Sequence, residues 1–224
     1  MEIVCVSRCS PITGEIEIIA GFTAFAANMS EAEAALKPIH ESRPSGALAE
    51  LFCLENNLAW QYDHQSAANP PNHRYCSENA YLRNEADVAS VLEVAFTTLP
   101  SKKAFSLYFA MNPTSRRALP DMALSMQSDH YFALYTVWED AADDERCTRW
   151  VHDIMRDVER HSVGSYLGDA DFQQRRTKFW SEENGERLGE IRKKWDPQGR
   201  ICGYLDVGDK SGVEGLKNEF EWIV

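Results

Sequence analysis

The segments AFSLYFAM and HYFALYTVW read as two strands, with Tyr108 inside the first and His130 opening the second. An imidazole in a strand is either a hydrogen-bonded structural group or a proton donor poised near neutral pH. A tyrosine or histidine that donates to a developing oxyanion can raise a rate by about 10² to 10³. Tyr135 and Trp138 follow His130 on the same strand, as core residues or as a platform for a ligand. Upstream, Trp60, Tyr62, Asp63 and His64 crowd aromatic and polar groups together, as a solvated loop or as a lid over a cavity.

Other chemistries find less support. The six cysteines stand at 5, 9, 53, 76, 147 and 202 without a C-x-x-C pair, which suits reduced, buried thiols. The six histidines are scattered and form no H-E-x-x-H, so no metal is expected. No Ser-His-Asp or Cys-His arrangement stands in a recognisable local context.

The elements that would carry these residues follow from pattern. A Pro11-Ile-Thr-Gly14 turn joins two short strands into a hairpin that extends through Phe25. Ser30 and Glu33 form a capping box for a helix with Ala32, Ala35, Leu36 and Ile39 on one side. A strand over 47–54 precedes an irregular stretch from Glu55 to Tyr81. Asn84 caps a helix bearing Val88, Val91, Leu92, Ala95, Phe96 and Leu99, and 143–161 reads as a helix buried through Trp150, Ile154 and Val158. A last strand is expected over Ile201–Val207, with Phe220, Trp222, Ile223 and Val224 docking the tail.

This order does not alternate strictly between strand and helix. It predicts a single α+β domain over 1–224, a mainly antiparallel sheet with helices packed on one face. Phe105, Leu107 and Phe109 alternate with Ser106, Tyr108 and Ala110, and neither set is solvent-like, so both sheet faces should be covered.

Composition narrows the partners. Of 224 residues, 44% are hydrophobic and 26% charged, a globular balance. A net charge of −12 repels phosphate backbones, so nucleic acid is not an expected partner. Arg175, Arg176 and Lys178, then Arg192, Lys193 and Lys194, are interleaved with acids and read as the solvated face of a helix. No apolar run is long enough for a membrane span and no signal peptide is visible, which makes the cytoplasm the expected location.

One run does more than obey general rules. Gly164 to Ile201 reads GSYLGDADFQQRRTKFWSEENGERLGEIRKKWDPQGRI. It resembles the C-terminal segment of berberine-bridge-enzyme-like, FAD-linked oxidases. In that family Asn and then Tyr or Phe lead through an acidic turn to a helix with N-x-x-R-L-x-x-[IV]-[KR], closed by aromatic-Asp-Pro. Ser165-Tyr166-Leu-Gly-Asp169 looks like the first part, with Ser165 in place of Asn. Asn184 to Arg192 looks like the second, and Trp195-Asp196-Pro197 like the third. Independently of the family, Leu188, Ile191 and Trp195 share one helical face and Pro197 ends the helix. Similarity extends more weakly to Leu58–Leu82 and to the strands ending in Tyr135-Thr-Val-Trp138, while Gly203-Tyr-Leu-Asp206 departs from the pattern.

The resemblance implies a substrate domain (1–160), a berberine-like segment (161–207) and a tail (208–224), without the family's FAD-binding domain. It implies Tyr166 as a general base, with Tyr108 and His130 flooring a substrate cavity. The site is expected on the sheet face opposite the helices, among Tyr108, His130, Tyr166 and Trp60 to His64. Three activities follow as expectations. One is flavin-free cyclisation, cycloaddition or isomerisation of a small apolar molecule. The second is the substrate half of an oxidoreductase whose FAD comes from a partner, and the third is non-catalytic binding. A homodimer is a possible way to cover the apolar surface.

Overall fold

The computed structural model of the chain describes residues 2–48, 57–66, 70–111, 116–171, 174–201 and 221–222. Strands β1 (Glu2–Cys9) and β2 (Ile16–Thr23) form the expected hairpin. Its turn closes through the Gly14 N–H donating to the Ser10 carbonyl at 2.9 Å, with Gly14 at φ +74°, a conformation open to glycine at no steric cost. Helix α1 (Met29–Glu41) starts two residues earlier than the capping box suggests. Asn28 Oδ1 accepts from the Glu31 N–H at 3.0 Å, and the Glu31 carboxylate accepts from the Ala27 N–H at 3.3 Å.

Within the expected irregular stretch, the described residues hold helix α2 (Leu58–Ser66) and most of strand β3 (Arg74–Leu82). Helix α3 (Val88–Thr97) is capped by Asp87, whose carboxylate accepts from the Ser90 N–H. Asn84 instead accepts from the Asp129 N–H at 2.8 Å. Strands β4 (Phe105–Ala110) and β5 (His130–Trp138) and helix α4 (Asp144–Val158) lie where the periodicity puts them. After β6 (Ser162–Gly164) and β7 (Arg175–Arg176) comes α5 (Glu182–Trp195), and β8 (Glu221–Trp222) pairs with β7. The expected strands over 47–54 and 201–207 fall almost wholly outside the described residues, as do Phe220, Ile223 and Val224.

Six strands form one sheet in the order β2-β1-β4-β5-β3-β6, with every pair antiparallel. Cys147, Val151, Ile154, Met155 and Val158 form the buried stripe of α4. They pack with Leu92 and Ala95 of α3 onto Cys76, Ala80, Leu82, Phe132, Leu134 and Trp138 of the sheet. Polar strand residues on this face complete the end of α3: Ser7 Oγ donates to the Phe96 carbonyl and Ser106 Oγ to the Ala95 carbonyl, each at 2.7 Å. Among the described residues, no helix is long and apolar enough to cross a membrane.

Candidate functional site

Strand parity divides the expected site. Tyr108 pairs across the sheet with Phe132, a core residue under α3 and α4, so Tyr108 and His130 lie on the helix-covered face. There Tyr108 Oη and His130 Nδ1 share a hydrogen bond of 2.8 Å, and burial raises the Tyr108 phenol above its usual pKa. Trp138 is on the same face, buried, and donates from Nε1 to Asp144 Oδ1 at 2.7 Å in the first turn of α4. Tyr166 and Tyr135 belong to the opposite face. The trio of Tyr108, His130 and Tyr166 therefore shares no environment, because Tyr108 and His130 are one residue out of phase with the open face.

The open face gathers tyrosines. Tyr81 and Tyr131 are buried with ring centroids 5.1 Å apart, and Leu107, Phe109, Met111, Tyr135 and Val163 pack around them. Tyr135 stacks on Phe105 at 4.8 Å, and Tyr166 stands edge-on to Tyr131 at 6.5 Å with 40% of its surface exposed. Tyr131 donates its hydroxyl to Asp169, and Tyr135 hydrogen-bonds the same carboxylate.

Burial, then Asp169, pushes the Tyr131 and Tyr135 phenols well above the ordinary range. Burial, then Tyr166 and Asp169, pushes Tyr81 to about 12. At neutral pH these three phenols keep their protons, and Tyr131 and Tyr135 donate theirs to Asp169. A general-base tyrosine requires the opposite shift.

Tyr166 is held from behind. The Asn79 amide accepts from the Tyr166 N–H at 2.7 Å and donates to the Tyr166 carbonyl at 2.8 Å. The Tyr166 ring lies where a side chain on Gly168 would be, with ring atoms 2.5 to 2.8 Å from an ideal Cβ. A Gly168→Ala variant is expected to push that flexible ring aside at about 1 kcal/mol or less. The measurement is a thermal melt beside the tyrosine near-UV circular dichroism, which should change although the melt hardly moves.

Arg175 was missed. It is no solvated helix residue but a buried one in β7, 2% exposed. Its guanidinium donates to Glu78 Oε2 at 2.8 Å, Glu159 Oε2 at 2.7 Å, the Asn79 carbonyl at 2.6 Å and Ser165 Oγ at 3.0 Å. Ser165 Oγ in turn donates to the Asn79 carbonyl at 2.9 Å, and the Asp171 N–H donates to the Ser77 carbonyl at 3.0 Å. The segment after β6 thus covers the edge of β3, which would otherwise present unpaired backbone groups. Cys-free and glycine-poor, the RRTK run offers no local pattern that separates a buried arginine from an exposed one.

Trp60, Tyr62, Asp63 and His64 are on α2, with Trp60 and Tyr62 exposed. A groove of about 220 Å³ lies elsewhere, between α5 and 121–123, lined by Met122, Asn184, Leu188 and Ile191. Arg187 spans it to Asp121 at 2.9 Å.

A dinucleotide cofactor needs a cradle for its diphosphate. Among the described residues, α1, α4 and α5 carry glutamate or aspartate in their first turns and α3 is capped by Asp87. These termini repel phosphate rather than bind it. Those four helix termini therefore do not fit an FAD diphosphate.

Comparison with known proteins matches residues 166–199 to the family model "Berberine and berberine like". The FAD-linked oxidoreductase janO of Penicillium janthinellum is 34% identical over 172 residues, 76% of this chain and 38% of that protein. The FAD-linked oxidoreductase ptmO of Penicillium ochrochloron is 30% identical over 207 residues, 92% of this chain and 46% of that protein. Among solved structures, BBE-like 28 of Arabidopsis thaliana superposes with a TM-score of 0.63 at 11% identity, covering 92% of this chain and 49% of that one. CrmK, a flavoenzyme of caerulomycin biosynthesis, gives 0.61 at 18%, covering 88% and 45%.

The family match falls on the closing segment, and the structural likeness extends over most of the chain. The chain is homologous to the berberine-bridge-enzyme-like, FAD-linked oxidoreductases, and it spans less than half the length of the curated relatives it matches.

Proposed function

We propose that this chain is the substrate-facing part of an FAD-dependent oxidoreductase acting on a mid-sized, largely apolar molecule, with the flavin held by protein outside the described residues. The carrying observation is the open sheet face, where Tyr81, Tyr131, Tyr135 and Tyr166 surround the Asp169 carboxylate. Flat aromatic walls take an apolar substrate, and a tethered carboxylate orients one hydrogen-bond donor upon it. FAD, when present, would supply the oxidation. The residues of this chain bind and orient the substrate and exclude water.

A flavin-free cyclase or isomerase needs a pocket that closes on its own. Here Ile18, Phe25, Ile191 and Trp195 are all exposed, at 60%, 85%, 46% and 75%. These are separate exposed apolar side chains that a further part of the protein could cover, and they support the flavin-dependent reading.

Co-expression tests the proposal. Alone, the chain is expected to leave FAD fluorescence unquenched. Produced together with the remaining part of janO, it is expected to co-purify as a yellow protein. Turnover of an apolar substrate by the chain alone, with no flavin present, would overturn the reading.

A further inference from the structure

We propose that Asn79 and Arg175 are positioning residues for Tyr166, setting its place on the open face through its main chain. The inference rests on the reading of that face as the substrate surface. The Tyr166 side chain has little to hold it: two-fifths of it is exposed, one flank rests on Gly168, and its nearest aromatic contact is the 6.5 Å edge-on approach to Tyr131. Its position must be set by the backbone. Asn79, itself fully buried, engages both main-chain groups of Tyr166 with one amide, at 2.7 and 2.8 Å. That pairing replaces a rung of sheet at the point where β6 has already left β3.

Asn79 is held in turn. Its carbonyl receives Ser165 Oγ and Arg175 Nη2, and the guanidinium is fixed by Glu78 on the strand and by Glu159 just beyond α4. The chain of contacts runs from the helix-covered core, around the sheet edge, to the aromatic ring on the other face. The amide offers a donor and an acceptor side by side; aspartate keeps the acceptor and loses the donor.

The test needs neither flavin nor substrate in its first arm. Fluorotyrosine is incorporated into the chain and the Tyr166 signal is assigned with Tyr166→Phe. In Asn79→Ala and Asn79→Asp, the Tyr166 fluorine resonance is expected to shift and broaden while those of Tyr81, Tyr131 and Tyr135 stay in place. Arg175→Lys, which keeps the charge but loses the fork, is expected to give a smaller change in the same resonance.

In the flavin-reconstituted protein, Asn79→Asp is expected to lower kcat by about 10- to 100-fold with KM nearly unchanged, the mark of a misplaced group. An unmoved Tyr166 resonance in either folded Asn79 variant overturns the positioning role. So does loss of folding in both, because Asn79 would then be a general structural residue. Selective fluorine shifts without any flavin-dependent turnover would count against the oxidoreductase reading while leaving the positioning role standing.

Discussion

Arg175→Leu is expected to lower stability by about 3 to 5 kcal/mol, because it strips the counter-charge from two carboxylates at once. For a chain of this size that corresponds to a fall of roughly 6 to 20 °C in melting temperature. Glu78 is fully buried and Glu159 is partly buried, with 20% of its side chain exposed, and both lose the guanidinium they pair with. Glu78→Gln is expected to cost about 1 kcal/mol or less, since one arginine then faces one carboxylate and no charge is left uncompensated. Thermal melts of the two variants side by side check this asymmetry. Equal losses would contradict the charge count.

The same cluster sets a pH dependence. Burial outweighs Arg175 and raises the Glu78 carboxyl to about 7, with Asp171 adding to the rise, and burial also raises Glu159. An acid whose folded-state pKa is raised holds its proton longer in the folded than in the unfolded chain. Its stabilising contribution is complete below the ordinary carboxylate range and is lost as pH rises through about 7. Melting temperature should therefore decline between about pH 5 and 7.5, and Glu78→Gln should flatten that decline.

Gly164→Ala is the second substitution with a large expected effect. A Cβ there would stand 2.6 Å from the Lys178 carbonyl oxygen and 2.7 Å from Met126 Cβ, on a backbone at φ +155°. The Lys178 carbonyl cannot retreat cheaply, because it accepts from the Ser165 N–H at 2.7 Å. Strain and a weakened buried hydrogen bond together should cost about 2 to 4 kcal/mol, seen as a reduced denaturation midpoint. Gly168→Ala is the control: its obstruction is the free-swinging ring of Tyr166.

Elements that carry their own periodicity were legible from residues alone. The turn at Ser10–Gly14, the alternation of β4 and β5, the apolar stripe of α4 and the helix stopped at Pro197 need no distant partner to be recognised. The berberine-like motif was legible for the same reason, as several residue types at fixed spacing. Strand β3 was not. Its middle reads Ser77-Glu78-Asn79, three polar residues that interrupt any apolar alternation and imitate a loop.

Those residues are strand-like only because of partners far along the chain: Glu78 meets Arg175 across 97 positions and Asn79 meets Tyr166 across 87. A polar group costs little to bury once it is satisfied, and satisfaction is a property of the folded chain. The placement of the candidate site had the same origin. Tyrosines and a histidine on neighbouring strands were visible in the sequence, but which of them share a face depended on which side α3 and α4 cover. That choice sent Tyr108 and His130 beneath the helices and left Tyr131, Tyr135 and Tyr166 beside Asp169 on the open face.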